Sequence, residues 1–355
     1  MALSLILNLL APPVSYGYHP PSLKTADGIV LDKRCKLSYD SPSSLRVIVL
    51  LQTFSKILER IMNSRLSCVA RVTGLIDPHQ CGSLAGLSVA DACNTLTHEI
   101  RTLQMDKRKV STFLNIKGGF NNVNPSFLCS MLSANGVSPY LVSWMCTFLT
   151  GRSCLLLFQG SPKVFAPVSV GTPQASPLWP LLFVIYVSRL HMEMPYGLPL
   201  SEVDDFALTV LACSYRCNVH LLQGQYAILK RKGSHLGGGF SVPKTELIHW
   251  RMNRDRDPPS AAPIHLDALV FHPRSKLRWL GFWFTPSVAT TPHFTKWLAK
   301  AQAAFLAVKG LSRQGMGHPP YLCYQVAASL LFPILSYGED VFHPTVHMVR
   351  KLAVF

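Results

Sequence analysis

Residues 198–211, with the sequence LPLSEVDDFALTVL, decide the fold. The apolar runs 198–203 and 206–211 flank Asp204 and Asp205, and they predict a strand-turn-strand hairpin with two carboxylates at its tip. Adjacent aspartates repel each other unless a cation lies beside them. Mg²⁺ meets that need because it uses one or two protein carboxylates plus substrate phosphates. A solvated loop tip is the simpler alternative, and the hairpin alone leaves both interpretations open.

The segments around this hairpin alternate between strand and helix patterns. A strand-like run at 110–116 is followed by helices predicted to start after Asn124-Pro125, Ser138-Pro139 and Ser176-Pro177. Beyond the hairpin, a helix is predicted at about 216–233, and strands at 247–250 and 277–284. The order β-α-β-α-β-β is that of a ferredoxin-like unit with insertions, which predicts an α+β fold with an antiparallel sheet.

Composition narrows the class of protein. The chain has 355 residues, 34 Lys plus Arg against 18 Asp plus Glu, and a formal net charge of +16. Its hydrophobic content of 48% and charged content of 15% exclude intrinsic disorder. The basic balance predicts a polyanionic partner, either nucleic acid or an anionic membrane surface. No apolar stretch reaches the roughly 18 residues that a membrane span needs.

The ten cysteines show no recurring spacing and predict neither a disulfide framework nor a zinc ribbon. They indicate reduced thiols in an intracellular protein. Cys213, Cys217 and His220 are spaced to share one helix face, so they could present three zinc ligands, but the favoured interpretation is a face that packs in the core. The apolar start at residues 3–10 lacks a basic flank and a cleavage site, which favours a short packing helix over a secretion signal.

Ordered motifs along the chain together resemble the reverse transcriptase domain of non-LTR (LINE-like) retrotransposons, most closely the fungal type. They are LRVIVLLQTFSKILERI (45–61), LIDPHQCGSLAGLSVADA (75–92), FLNIKGGFNNVNP (113–125), VGTPQASPLWPLLFVIYVS (170–188), EVDDFALTV (202–210), FSVPKTELIHW (240–250), LRWLGFWF (277–284) and PILSYGEDVF (333–342). Their order and natural spacing are far more specific than any single motif.

The resemblance implies an RNA-directed DNA polymerase with an α+β right-hand architecture. It implies fingers at 1–107, a ferredoxin-like palm with an antiparallel sheet and the catalytic hairpin at 108–285, and a helical thumb with the start of the following region at 286–355. In such enzymes two Mg²⁺ ions, or Mn²⁺, align a primer 3′ hydroxyl with the incoming dNTP. The implied partners are an RNA template, a DNA primer and dNTP. No membrane and no stable protein partner are expected.

Individual residues take their implied roles from the resemblance. Asp204 and Asp205 match the paired metal-binding aspartates, and Asn115 stands at the position of the family's first palm aspartate. Lys244 matches the lysine thought to protonate the departing pyrophosphate. The remaining positions would hold substrate: Arg46 on the nucleotide phosphates, Phe120 against a ribose 2′-OH, Gln174 facing the nucleotide, and Leu280-Gly281 on the primer. Without the family context, a surface or core role is the simpler interpretation of Arg46, Phe120 and Lys244.

Departures from the family pattern predict impaired catalysis. Asn115 replaces a carboxylate, and an amide oxygen brings no negative charge to two cations. Each 1.4 kcal/mol or so of lost transition-state stabilisation lowers the rate tenfold. Loss of this carboxylate is therefore expected to lower the catalytic rate by orders of magnitude. Asn121 stands where the family usually has aspartate, Glu202 replaces a tyrosine-like residue, and Ala175 replaces a glycine. We expect a degenerate copy and a fragment of a longer reading frame.

Two further interpretations stay open. The chain could be a catalytically dead nucleic-acid-binding remnant or pseudogene product, because phosphate binding depends on Lys and Arg rather than on Asn115. It could also be a secreted or membrane-surface basic protein, which only the apolar start and the net charge favour. The favoured location is intracellular, in cytoplasm or nucleus.

Overall fold

The computed structural model describes residues 2–33, 38–41, 44–84, 86–105, 109–115, 123–157, 164–168, 175–192, 197–203, 205–235, 242–251, 262–311 and 319–352. The helices are α1 (Ala2–Ser15), α2 (Thr53–Val72), α3 (Val89–Met105), α4 (Pro125–Ala134), α5 (Pro139–Leu149), α6 (Trp179–Met192), α7 (Tyr215–His235), α8 (Thr290–Leu311), α9 (Pro320–Leu335) and α10 (Val346–Leu352). The strands are β1 (Thr25–Asp32), β2 (Leu45–Leu50), β3 (Lys109–Asn115), β4 (Arg152–Leu157), β5 (Val164–Val168), β6 (Leu198–Glu202), β7 (Asp205–Ala212), β8 (Glu246–Trp250), β9 (Ile264–Leu266), β10 (Leu269–Phe271), β11 (Leu277–Trp279) and β12 (Phe282–Phe284).

The chain divides into two compact units. Unit 1 comprises residues 1–86, 116–195 and 226–241, and unit 2 comprises 87–115, 196–225 and 242–355. Unit 1 contains a mixed sheet in the order β2-β1-β4-β5, in which β1 runs parallel to β4 and antiparallel to β2. In this unit α1 contacts α2 and α5, and α2 contacts α6. The predicted helix start at Asn124 is confirmed, because its side chain accepts a hydrogen bond from the Phe127 N–H at 3.1 Å.

Unit 2 is built on an antiparallel sheet in the order β6-β7-β3-β8. The strand of this sheet that comes first in the chain, β3, is one of the two central strands, as expected of the predicted ferredoxin-like unit. A buried polar chain crosses the sheet: Trp250 Nε1 donates to Thr112 Oγ1 at 2.7 Å, and that oxygen lies 2.8 Å from Thr209 Oγ1. Asn218 of α7 donates to the Lys109 carbonyl at 2.8 Å, which fixes α7 against the sheet. These bonds fix which residues face one another across the sheet.

The part of unit 2 beyond residue 262 adds short hairpins and helices. The strand predicted at 277–284 is wrong as a single element, because Leu280 and Gly281 form a turn with φ values of +50° and +88° that separates β11 from β12. The β9–β10 hairpin was not predicted. An aromatic cluster fixes β12 to the helices, with Phe282 stacked on His293 and Trp297 stacked on Tyr337. Among the described residues, no helix has both the length and the apolar character to cross a membrane.

The prediction for the cysteine face of α7 is wrong. Cys213, Cys217 and His220 were expected to pack in the core, yet all three are exposed. The buried face of the first turns of α7 is formed instead by Tyr215, Asn218 and Val219. Periodicity identified residues that share a face, but it did not determine which face meets the sheet.

Candidate active site

The tip of the β6–β7 hairpin carries the carboxylates singled out from the sequence. Glu202 ends β6, Asp205 begins β7, and the two are register partners across the hairpin. Val203 adopts a φ of +57°, the left-handed conformation that a tight turn uses. Asp204 lies outside the described residues. Because directly opposed residues project from one face of a sheet, two carboxylates share one face at this tip.

Neighbouring strands bring further predicted residues to the same edge of the sheet. Asn115 ends β3 and pairs in register with Phe206, which follows Asp205 directly. On the other side of β3, Leu114 pairs with Glu246 at the start of β8, and Lys244 belongs to the short 3₁₀ turn that leads into this strand. Unit 2 therefore brings the backbones of Asn115, Asp205 and Lys244 to one sheet edge.

The β11–β12 turn, where Leu280 and Gly281 were predicted to hold the primer, is fixed by Tyr337. The Tyr337 hydroxyl donates to the Leu280 carbonyl at 2.7 Å. Burial raises the pKa of Tyr337, and charges of Cys93, Arg278 and Glu202 also act on it. The Glu202 carboxylate at the tip of the β6–β7 hairpin is thus among the charges that act on the tyrosine that holds the β11–β12 turn.

Positive charge accumulates beside this turn. Lys300 lies 3.7 Å from the ring centroid of Trp297, and Lys296 lies 5.4 Å from that of Trp283. Partial burial, followed by the charge of Arg278, lowers the pKa of Lys300. Cations held on aromatic faces near a turn suit contact with a phosphate backbone.

Predicted site residues in unit 1 are less completely described. Arg46 is exposed on β2, in register with Leu31 of β1. Phe120 and Gln174 lie outside the described residues. The segment that follows Gln174 begins with half-buried Ala175 and buried Ser176, which precedes α6.

A buried polar network that was not predicted supports this segment. Glu59 of α2 is completely buried and accepts hydrogen bonds from two hydroxyls: Ser55, at 2.7 Å, and Ser176. Ser176 Oγ in turn accepts from the Leu178 N–H at 3.2 Å and so stabilises the turn that leads into α6. The contact ties α2 to this turn, directly after the segment that includes Gln174.

Charged neighbours complete the network around Glu59. Burial raises the pKa of Glu59, while its hydroxyl donors and the charge of Arg152 act in the opposite direction. Arg152 is itself buried, and its guanidinium lies 4.9 Å from the ring centroid of Phe148. His19 Nε2 lies 3.4 Å from Ser55 Oγ, and burial lowers the pKa of His19 to about 4. A glutamate within the apolar stripe of Leu58, Met62 and Leu66 on α2 was the sequence signal for this network.

The donor set at the hairpin tip suits a hard divalent cation only in part. Glu202 and Asp205 supply carboxylate oxygens on one face, and Asp204 adds a third in the sequence. In the sequence, Asn115 stands where the family pattern has a further carboxylate. In the part of the chain that the structure describes, no group of three His, Cys, Asp or Glu side chains is arranged to hold a metal. Carboxylate oxygens are ligands of the type that Mg²⁺ prefers, but this set lacks the carboxylate that the family has at the position of Asn115.

The sequence profile of the family described as "Reverse transcriptase (RNA-dependent DNA polymerase)" matches residues 32–284. This match includes the β6–β7 hairpin, β3 and the β11–β12 turn. The chain belongs to the reverse transcriptase family. Its predicted assignment to reverse transcriptase domains of non-LTR retrotransposons is confirmed at this level.

Curated relatives of this reverse transcriptase domain come from mobile elements of Drosophila melanogaster. The probable RNA-directed DNA polymerase from transposon BS is 25% identical over 299 residues, which are 82% of this chain and 32% of that protein. The putative 115 kDa protein in type-1 retrotransposable element R1DM is 24% identical over 98% of this chain and 33% of its own length. The RNA-directed DNA polymerase from mobile element jockey is 28% identical over 64% of this chain and 24% of that protein. The chain thus spans about a third or less of these relatives.

Solved structures of telomerase from Candida tropicalis have a similar fold. The structure in complex with the TWJ fragment of telomeric RNA superposes with a TM-score of 0.53 and 11% identity, over 94% of this chain and 57% of that one. The truncated apo telomerase gives a TM-score of 0.50 and 13% identity, over 76% of this chain and 55% of that one. Such low identity shows the fold alone. The predicted α+β right-hand polymerase fold of this reverse transcriptase domain is confirmed.

Proposed function

We propose that this domain is the RNA-directed DNA polymerase of a non-LTR retrotransposon, with catalysis weakened by Asn115. The observation that carries the proposal is the strand register at one sheet edge: Asn115 pairs with Phe206, the residue after Asp205. That is where the family needs its first palm aspartate beside the paired aspartates. The match to the reverse transcriptase family over residues 32–284 supports the same assignment.

In this proposal Asp204 and Asp205 hold Mg²⁺ or Mn²⁺, and Asn115 is a weaker third ligand. The bound cations supply positive charge against the reacting phosphate oxygens. Glu202 stands directly opposite Asp205 and adds negative charge, which attracts cations but repels the phosphates of a primer and template. Lys244, which precedes β8 at the same edge, is proposed to give its proton to the departing pyrophosphate.

The remaining predicted residues are assigned to substrate binding one by one. Arg46 would bind nucleotide phosphates, Phe120 would exclude a ribose 2′-OH, and Gln174 would face the nucleotide. Leu280 and Gly281 would hold the primer. The fingers at 1–107, palm at 108–285 and thumb at 286–355 belong to the proposal, as do an RNA template, a DNA primer and dNTP as partners.

The origin of the chain is part of the same proposal. Asn115 and Asn121 in place of aspartates, Glu202 and Ala175 support a partly degenerate copy. The assignment to the fungal type of these retrotransposons rests on the amino-acid sequences of the motifs. An intracellular location rests on the family resemblance.

Primer extension on an RNA template, with Mg²⁺ and separately with Mn²⁺, tests the proposal. We expect Asn115→Asp to extend the primer at least roughly a hundredfold faster than the native chain, because it restores a negative ligand. Asp205→Asn, introduced into Asn115→Asp, should remove this activity and is the matched control. If Asn115→Asp is as inactive as the control, the polymerase proposal fails.

A nucleic-acid-binding remnant is the second candidate, favoured by the net charge of +16 and by the lysines on aromatic rings beside β12. It predicts RNA binding that weakens as salt rises, because bound cations are released on association. This alternative is established if the native chain and the Asn115→Asp variant both bind RNA in a salt-sensitive way and neither extends the primer.

A further inference from the structure

The cysteines at the junction of β7 and α7 form a site that the polymerase function does not use. Cys213 and Cys217 are both exposed, and their Sγ atoms lie 3.7 Å apart. Cys217 lies in the first turn of α7, where its N–H donates to Ser214 Oγ at 3.2 Å. Two accessible thiols in van der Waals contact are a different arrangement from buried cysteines such as Cys93 and Cys154.

The local backbone lets the two sulfur atoms come closer. Cys213 lies in a bend, after β7 ends at Ala212 and before α7 begins at Tyr215. A disulfide needs a sulfur–sulfur distance of about 2.05 Å, so the gap must shrink by roughly 1.6 Å. Because neither regular element holds Cys213, rotation of its side chain and a small movement of the bend can supply this.

The two sulfur atoms are chemically unequal. The pKa of Cys217 is lowered, first by its hydrogen bond with Ser214 and then by that with Cys213. The N-terminal end of a helix also stabilises a thiolate through its backbone dipole. A solvent-accessible cysteine with increased thiolate character beside a second cysteine is the arrangement of redox-sensitive pairs.

We propose that Cys217 and Cys213 form a thiol–disulfide exchange site. Cys217 attacks a small-molecule disulfide such as oxidised glutathione, and Cys213 then resolves the mixed disulfide on Cys217. His220 does not extend the pair to a metal site, because the described residues include no group of three metal-ligating side chains.

The reaction balances in two exchanges. The Cys217 thiolate attacks one sulfur of the small disulfide, a mixed disulfide forms, and one thiolate leaves. Cys213 then loses its proton to water, and its sulfur attacks Cys217 Sγ; the protein disulfide forms and the second thiolate leaves. The two protein thiols lose two electrons and two protons, and the small disulfide is reduced to two thiols.

Peptide mapping of the full chain tests the disulfide directly. Arg216 lies between the two cysteines, so trypsin separates them into different peptides unless a disulfide joins them. After treatment with oxidised glutathione and blocking of free thiols, we expect the linked pair of peptides as the main oxidised product, and its loss on reduction. Cys213→Ser should instead accumulate glutathione on Cys217. A main product that links either cysteine to another position would overturn the proposal.

The wild-type chain also gives a test that needs no variant. At pH 7 we expect iodoacetamide to alkylate Cys217 at least roughly threefold faster than exposed Cys68 of α2, and the difference should vanish in urea. Cys68→Ser is the matched control for oxidation, since it should leave the amount of linked peptides unchanged. Equal alkylation rates of Cys217 and Cys68 in the folded protein would contradict the assigned nucleophile.

Discussion

Ser176, which lies just before α6, donates a hydrogen bond to the buried carboxylate of Glu59 in α2. The same serine oxygen accepts from the Leu178 N–H at 3.2 Å. One side chain thus satisfies a buried carboxylate acceptor and the backbone donor of the turn that leads into α6. Buried polar groups are costly when they lose such partners, so this contact stabilises the junction between α2 and that turn.

Ser176→Ala should lower the free energy of unfolding by about 1–3 kcal/mol at pH 7, since Glu59 Oε2 loses its donor and the Leu178 N–H loses its acceptor. Urea denaturation measures the change. Ser130→Ala is the control, because Ser130 is exposed and bonds only within α4 in the described structure; it should change stability by less than about 0.5 kcal/mol. Equal effects of the two substitutions would contradict the role of Ser176.

Glu59 and Arg152 should be energetically coupled. Both are buried, and the positive charge of Arg152 acts on Glu59. Glu59→Gln and Arg152→Met each leave one buried charge without its opposite, which is more costly than removing both. A double-mutant cycle by urea denaturation should give a coupling energy of about 0.5–3 kcal/mol, with the double variant less destabilised than the two single effects combined. Additive effects would show that the two charges do not interact.

His19 should make the protein less stable as the pH falls below 6.5. Burial, followed by the charges of Arg152 and Lys24, lowers the pKa of His19 from 6.5 to about 4. The unfolded chain therefore binds a proton in this window while the folded chain does not, so stability is complete above pH 6.5 and is lost toward pH 4. Between pH 7 and pH 5, native protein should lose about 2 kcal/mol more than His19→Phe.

Denaturation of both proteins at the two pH values checks this prediction. The raised pKa of Glu59 has the opposite sign, because a carboxyl group that binds its proton more tightly when folded loses stability as the pH rises from 4.5. Both proteins contain Glu59, so its contribution cancels in the comparison. Parallel losses in native protein and His19→Phe would contradict the assignment to His19.

Gly281→Ala should destabilise the β11–β12 turn by about 1–3 kcal/mol. Gly281 has a φ of +88°, and an added Cβ would lie 2.6 Å from the Tyr337 hydroxyl oxygen. Tyr337→Phe removes that oxygen and should cost about 1 kcal/mol through loss of the bond to the Leu280 carbonyl. In the double variant we expect less than the sum of the two losses, because the closest contact is gone while two ring carbons at 3.2 and 3.3 Å and the backbone strain remain. Thermal unfolding of the four proteins measures the difference.

Local patterns predicted the elements that carry the site. The apolar runs on both sides of Asp204-Asp205 predicted the β6–β7 hairpin, and Asn124-Pro125 predicted the start of α4. Both signals reside within a few residues of chain. The apolar pattern of 277–284 missed the turn at Leu280, because this side chain continues the strand pattern although its backbone has a positive φ. Only the family resemblance, which implied a primer-holding hairpin at Leu280-Gly281, pointed to a turn there.

Relationships between distant segments were beyond such patterns. The partner of Glu59 is 117 residues away, and nothing near either residue specifies the other. Likewise, the exposed pair Cys213 and Cys217 was assigned to the core, since helical spacing alone does not orient a helix. The roles of Asp204, Phe120 and Gln174, which lie outside the described residues, stay predictions.

The parallel pairing of β1 with β4 has a consequence for synthesis on the ribosome. Thr25 of β1 meets Ser153 of β4, 128 residues later. At about 5–20 residues per second, β1 waits roughly 6–26 s for its partner. During that interval β1 can pair with β2 alone, and its other edge offers unsatisfied backbone groups to any extended chain nearby. Translation speed between these two strands therefore sets how long the nascent protein is open to wrong partners.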